Sequence, residues 1–427
     1  MTQSKKLVVI AGLALSATAF AQSNDAGRAY AAELVSDAGA RVSLLDGGSG
    51  YDKKGFMIGS ADGNNTMYVF GSAQVRYYAN FRDDNDGARE NYTGGFENNM
   101  TRLGVKGSVW DKAFTYQVRG EFDNSGSFGL ETAFAGYSWD NGFGLTVGQI
   151  KHPLLRESII DNEYQLGVNR SIVDSVFGGG YTQGLQLNYA TDAFRFTGGL
   201  TDGANSANTA YDSASEADYA LNARVDFKAM GADWARFDDF TSWKSAEDMG
   251  LLIGGAIHWQ DGGSTGGGVD DAGDDVSTND VQVLAYTLDA QFEGQGWNAF
   301  AAFVGSKVES GDVDSSNFGG VIQAGIFVTD QVELFGRWDG IFWDSDLLDG
   351  EGESADDSHF LTAGVNYYLS PESHAAKFSL NGVYAFNSTV EPLDADDNSV
   401  LPIGGSGFLG QQDDGEFGLI AQLQVMF

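Results

Sequence analysis

The chain has 427 residues and a formal charge of −36 at pH 7, from 24 basic and 60 acidic side chains. Such a charge repels phosphate backbones and excludes nucleic acid as a partner, while the absence of cysteine excludes disulfides and thiolate metal sites. With 59 Gly, 29 Phe and 17 Tyr against 4 Pro, the composition favours many strands joined by tight turns over packed helices.

At the amino end, Lys5 and Lys6 precede the apolar run LVVIAGLALSATAF, which closes on the small-x-small pattern Ala19-Phe20-Ala21. This pattern predicts a secretory signal over 1–21, cleaved after Ala21. The run is too short and too poorly flanked for an anchor helix. Residues 22–66 form a separate segment, expected in the periplasm: Tyr30, Leu34, Ala38 and Leu45 fall near helical spacing, predicting a short amphipathic helix followed by a Gly/Asn linker.

From Met67 to Phe427 the period changes to two. Strands are predicted over 67–79, 97–110, 113–123, 130–140, 143–151, 182–190, 193–201, 217–229, 249–261, 280–293, 297–307, 317–329, 331–342, 358–369, 376–387 and 415–427, sixteen in all. Short turns such as Asp111-Lys112, Thr191-Asp192 and Thr329-Asp330 alternate with longer polar loops at 80–96, 152–181, 202–216, 262–279, 308–316, 343–357 and 388–414. That alternation is what a membrane barrel needs, with compact turns facing the periplasm and longer loops outside. Residues 231–248, GADWARFDDFTSWKSAED, break it by being long on the short side.

Each strand has one apolar and one polar face. In the third, Phe114, Tyr116, Val118 and Phe122 alternate with Thr115, Gln117, Arg119 and Glu121. A soluble sandwich would share this pattern, but the signal, the loop alternation and the aromatics at strand ends (Trp110, Trp139, Trp259, Trp297, Tyr367, Tyr368) favour lipid outside and water within. The expected fold is all-β, a sixteen-stranded antiparallel transmembrane barrel with an inward-folded third loop. Closure by pairing the last strand with the first accounts for a chain that stops on Phe427. Leu423, Val425 and Phe427 also read as the terminal signal recognised by the barrel assembly machinery.

The stretches TRLGVKGSVWDKAFTYQVRGEFD (101–123), ETAFAGYSW (131–139), LTVGQIKHPLLRES (145–158) and GLQLNYA (184–190) resemble the early strands and third-loop entry of the phosphate-selective porins O and P. The resemblance implies a trimeric diffusion channel in the outer membrane, set among lipids and lipopolysaccharide, passing small hydrophilic solutes or ions. It also implies a basic ladder along the pore. Only 24 basic residues are present here, so we expect a preference for cations, with a phosphate or anion channel and a non-conducting structural or adhesive barrel as the alternatives.

On alternation alone, Arg76, Arg102, Lys106, Arg119, Arg195, Arg224, Lys228 and Arg337 face inward, with Glu121, Asp226, Asp289, Glu333 and Asp339. The 152–181 loop carries Leu154, Leu155, Ile159, Ile160, Ile172, Val173, Val176 and Phe177, which need burial. We expect it inside the barrel as the constriction, its Arg156, Glu157, Asp161, Glu163, Arg170 and Asp174 facing the basic wall. Acidic runs at 270–275, 344–357 and 394–397 gather cations at the mouth. No enzyme, cofactor or metal is expected: the GGSTG of 262–266 lacks the strand-to-helix setting of a nucleophile elbow, and the four His show no ligand spacing.

Overall fold

Sixteen antiparallel strands close into a barrel in the computed structural model, which describes residues 49–52, 55–82, 91–211, 213, 216–231, 233–262, 268–269, 275–276, 281–310, 313–344, 357–389, 406–411 and 414–427. In chain order they are β1 (Thr66–Phe81), β2 (Tyr92–Val109), β3 (Asp111–Phe122), β4 (Phe128–Ser138), β5 (Phe143–Lys151), β6 (Tyr181–Ala190), β7 (Phe194–Thr201) and β8 (Ala217–Met230). There follow β9 (Gly250–Gly262), β10 (Val281–Glu293), β11 (Trp297–Ser310), β12 (Val313–Phe327), β13 (Val332–Phe342), β14 (Ser358–Tyr368), β15 (Ala376–Ala385) and β16 (Phe417–Met426). Every strand pairs with its sequence neighbours, and β16 returns to β1 from Phe417↔Phe81 to Met426↔Ser72. The leader, the helix expected over 22–45, most of the three acidic runs and the GGSTG stretch beyond residue 262 lie outside the described residues.

Phe427 completes the seam. Its N–H donates to the Gly71 carbonyl at 3.0 Å and its carbonyl accepts from Gly71 N–H at 2.9 Å. Glycine is required at 71 because a Cβ would sit 2.5 Å from the Arg102 carbonyl oxygen and 2.6 Å from the Phe427 ring. Below the seam, a linker was expected but a hairpin occurs, Ser49–Asp52 with Gly55–Gly59, whose second strand pairs with the start of β1 from Phe56↔Val69 to Gly59↔Thr66. The stretch of β1 that β16 does not reach is thereby covered from Thr66 to Val69.

A second correction concerns 308–316, expected as a loop. β11 and β12 run out to Ser310 and from Val313 and stay in register throughout. Glu309 opposes Asp314 in this outer ladder, and Lys307 lies 2.6 Å from the first and 3.1 Å from the second. The lysine offsets the like-charge repulsion between them.

The two faces of the wall differ as closure in lipid demands. Leu288, Ile322, Ile326 and Leu221 are 62, 60, 54 and 52% exposed on the outside, whereas Glu333, Arg337 and Asp339 alternate with Leu334 on β13 and are buried inside. Trp110, Trp139 and Trp297 project outward near the short turns. Tyr368, expected among that girdle, instead points inward, fully buried, and donates to Glu333 Oε2 at 2.8 Å.

Candidate channel interior

Residues 152–180, the third long connection (L3), fold as two short helices, α1 (Arg156–Ile159) and α2 (Ile172–Phe177), with a 3-10 turn at Asn162–Tyr164 between them. Ser171 caps α2: its hydroxyl accepts from Asp174 N–H at 3.0 Å and donates to Glu157 Oε2 at 2.6 Å, while its own N–H donates to Glu157 Oε1 at 2.7 Å. Leu154, Leu155, Ile160, Leu166, Ile172, Val173 and Phe177 are buried in one cluster with Phe300, Val304, Val321, Phe335, Ile341 and Phe360 of β11–β14. A hydrophobic core therefore lies inside the barrel and holds L3 against that half of the wall.

Polar contacts continue on the same side. Arg337 donates to the carbonyls of Asn169 and Arg170 at 2.9 and 3.0 Å and to Asp339 at 3.2 Å, and Asp339 Oδ2 accepts from Ile172 N–H at the start of α2 at 2.7 Å. Asn366 donates to the Leu166 carbonyl at 2.9 Å, Lys377 to those of Gln165 and Glu163 at 3.0 and 3.3 Å, and Gln424 to that of Glu163 at 3.1 Å. On β1, Arg76 reaches Asn169 Oδ1 at 2.8 Å and the Val168 carbonyl at 3.2 Å.

Opposite, the 3-10 turn meets the wall of β2–β5 through ion pairs. Glu163 lies 2.9 Å from Arg102, which also pairs with Glu131 at 2.5 Å and Glu121 at 3.0 Å. Asp161 lies 2.6 Å from Lys151 and 3.1 Å from Arg119, and Arg119 is 2.8 Å from Glu131. The cations beside Asp161 hold its carboxyl well below the usual range despite burial. Glu157 differs: burial pushes it up to about 7, against the pull of Arg337.

Of the expected site residues, Arg76, Arg102, Arg119 and Arg224 are inward and buried, Arg224 between Asp226 (2.7 Å) and Asp289 (2.9 Å). Lys106 is half-buried with its ammonium 4.9 Å from the Phe70 ring, and Arg195 lies over Trp234 at 4.1 Å. Asp161 and Glu163 meet the basic wall. Glu157 reaches Arg337, farther round the wall, at 3.7 Å, whereas Arg156 and Arg170 bind elsewhere: Arg156 donates to Gln291 Oε1 at 3.1 Å and to the Phe237 carbonyl, and Arg170 is tied to the carbonyls of Glu157 and Ile160 and paired with Asp174. Short backbone turns in L3 create carbonyls that need donors, and Arg170 supplies two of them, whereas Arg156 reaches outside the loop. Glu131, Lys151 and Lys377 were not singled out from the sequence. Leu423, Val425 and Phe427 stand outward, about half exposed.

Neutral polar side chains line the side L3 leaves open. Asn188 donates to Thr146 at 3.2 Å, Thr197 to Asn188 at 3.1 Å and Gln117 to Thr132 at 3.0 Å. A cavity of about 670 Å³ lies there toward the short-turn end, lined by Tyr68, Lys106, Lys112, Thr115, Gln117 and Phe134 among others.

Comparison with known proteins agrees with this architecture. The family described as phosphate-selective porin O and P matches residues 73–403. No curated protein matches the chain by sequence. Similar solved structures include the anion-selective porin from Comamonas acidovorans (12% identity, TM-score 0.57, covering 85% of this chain and 100% of that one). Others are OmpF of Salmonella typhi in complex with daunomycin (12%, 0.57, 85% and 98%) and the outer membrane channel DcaP of Acinetobacter baumannii (14%, 0.51, 84% and 97%). At these identities the likeness is one of fold.

Proposed function

Because this chain belongs to the phosphate-selective porin O and P family and is an outer-membrane diffusion channel, we propose that it passes small hydrophilic solutes and cations in preference to anions, with L3 as its constriction. The passage runs beside the ion pairs of L3 with the wall, along the neutral Thr146, Asn188 and Thr197 side chains of β5–β7, opposite the apolar anchor of L3. The observation that carries the selectivity is the state of the arginines. Arg76, Arg102, Arg119, Arg224 and Arg337 are 2 to 5% exposed, and each donates to carboxylate, amide or carbonyl oxygens. A guanidinium so compensated offers little to a passing anion, whereas Glu121 and Asp161 keep 24 and 30% of their side chains accessible. The transverse field that L3 sets up is then one of partly accessible, paired acids against neutral hydroxyls and amides.

Lys106 and Lys112 in the cavity favour the second reading, an anion channel. Reversal potentials of the purified protein in a planar bilayer under a salt gradient separate the two: a cation-selective sign is expected, and an anion-selective sign overturns the proposal. Deleting 156–176 is expected to raise conductance and the size cut-off, and an unchanged channel would mean that L3 is not the constriction. We further propose that three copies associate, as in the trimer form of OmpT from Vibrio cholerae, within lipid and lipopolysaccharide. A leader over 1–21 delivers the chain to the periplasm, and the outward Leu423, Val425 and Phe427 serve as the signal for the barrel assembly machinery.

A further inference from the structure

Between β8 and β9 the chain does not turn back at the short-turn end. Residues 233–243 enter the barrel. Asp233 Oδ1 accepts from Ala235 N–H at 3.0 Å and starts a 3-10 turn over Trp234–Phe237, which carries Phe237 and Phe240 inward to 0 and 1% exposure. The Phe240 ring lies 4.8 Å from Phe300, in the same cluster that holds L3.

This segment touches L3 directly. Phe240 N–H donates to the Tyr164 carbonyl at 3.2 Å. From α1, Arg156 donates to the Phe237 carbonyl and to Gln291 Oε1, and Gln291 in turn donates to the Asp239 carbonyl at 2.5 Å. The foot of the segment is fixed to the wall: Thr241 Oγ1 and Tyr368 Oη are 3.3 Å apart, the Ser242 hydroxyl donates to the Gly294 carbonyl, and the Trp243 ring lies 4.8 Å from Tyr368 and 5.2 Å from Phe327.

We infer that residues 233–243 position the constriction loop from the opposite membrane face, so that two segments entering from opposite ends set the width of the passage. The inference rests on the reading of L3 as the constriction. Its physical basis is that L3 cannot leave this segment cheaply: the buried Arg156 guanidinium would lose the oxygens that compensate it, and the Phe240 ring would lose the loop side chains it clusters with. Without this segment L3 would keep its anchor on β11–β14 and the Lys377 and Gln424 bonds to Glu163, but lose the bond to the Tyr164 carbonyl and the tether of α1, and with them part of the hold on its 3-10 turn.

Phe240→Gly and Arg156→Met test this separately, by single-channel recording and by liposome swelling with sugars of graded size, with thermal unfolding in detergent as the control for the barrel. Both variants are expected to show larger open-channel fluctuations and a cut-off shifted to larger sugars. Phe240→Leu, which refills the site, is expected to restore the smaller cut-off, a rescue that general weakening of the barrel would not give. Folded variants with unchanged cut-off and fluctuations overturn the inference. A Tyr164→Cys, Phe240→Cys pair in this cysteine-free chain tests the contact itself with a short thiol-to-thiol crosslinker, since the 3.2 Å backbone bond sets the two residues side by side whichever way their side chains point. A crosslink detected by mass is expected, and its absence overturns the inference even if the other variants fail to fold. Should the crosslink form while deletion of 156–176 leaves conductance unchanged, the constriction reading falls and the contact stands.

Discussion

Glu163→Gln removes the charge of the side chain that bridges L3 to Arg102 on β2 at 2.9 Å and to Ser72 on β1 at 2.5 Å. The Glu163 carbonyl keeps its donors, Lys377 at 3.3 Å and Gln424 at 3.1 Å, so the 3-10 turn stays in place. Arg102 retains Glu121 and Glu131, so its charge is not stranded and the 3–5 kcal/mol typical of a broken buried pair does not apply. What is lost is the charge assistance of the 2.9 Å bond to Arg102, between side chains 5 and 6% exposed, and of the bond from Ser72, together about 1.5–3 kcal/mol. That shifts the balance between bridged and unbridged L3 by a factor of roughly 10 to 150. In planar bilayers the variant is expected to fluctuate more between conductance levels and, having lost an acid, to show weaker cation selectivity. Recordings indistinguishable from those of the unaltered channel, with the barrel folded, would refute the argument.

Gly71→Val places carbon where the Arg102 carbonyl and the Phe427 ring already lie; overpacking at this seam costs about 1–3 kcal/mol, and a lower unfolding temperature in detergent is expected. On the lipid face, Ile322, 60% exposed near the middle of β12, is expected to tolerate lysine poorly, losing about 2–4 kcal/mol at the bilayer midplane, read as a smaller folded fraction in lipid vesicles. The buried Glu157 carboxyl, raised from 4.5 to about 7, binds its proton more tightly in the folded state. Its contribution to stability is therefore complete below pH 4.5 and is lost as pH rises through 7. Melting curves between pH 4 and 8 should decline less steeply in Glu157→Gln than in the unaltered protein, and parallel curves would exclude this group as a source of the slope.

The strands were legible because lipid imposes a strict period of two over segments of known length, and both turns and closure follow from backbone pairing. β7, for example, was expected over 193–201 and runs Phe194–Thr201. The burial of L3 was legible from its apolar content. Three features were hidden for identifiable reasons. Glu131 sits beside a register shift between Arg119 and Gly120, so simple alternation assigns it the wrong face. Trp234, Phe237, Phe240 and Trp243 recur every three residues, which announces a buried face but not what buries it. The hairpin over 49–59 is a short glycine-bounded stretch whose pairing partner, the lower end of β1, is defined only once β16 has stopped short of it.

The neutralised arginines lead to a final expectation, which concerns what L3 conceals. Residues 156–176 contain four carboxylates (Glu157, Asp161, Glu163, Asp174) and two guanidiniums (Arg156, Arg170), a net charge of −4 + 2 = −2. Deleting them takes from Arg337 two backbone acceptors and its contact with Glu157, from Arg76 the Val168 and Asn169 oxygens, and from Lys377 both loop carbonyls. These three cations then face water on one side of a widened lumen, and so does Lys151, which loses Asp161 and the Ser158 and Ile159 carbonyls. Arg102 and Arg119 keep Glu131 and remain compensated. The shortened channel should therefore conduct more and also move toward anion selectivity, seen as a reversal potential displaced in that direction under the same salt gradient. A larger conductance with undiminished cation preference would mean that the loops at the mouth, and not the balance between L3 and the wall, decide which ions pass.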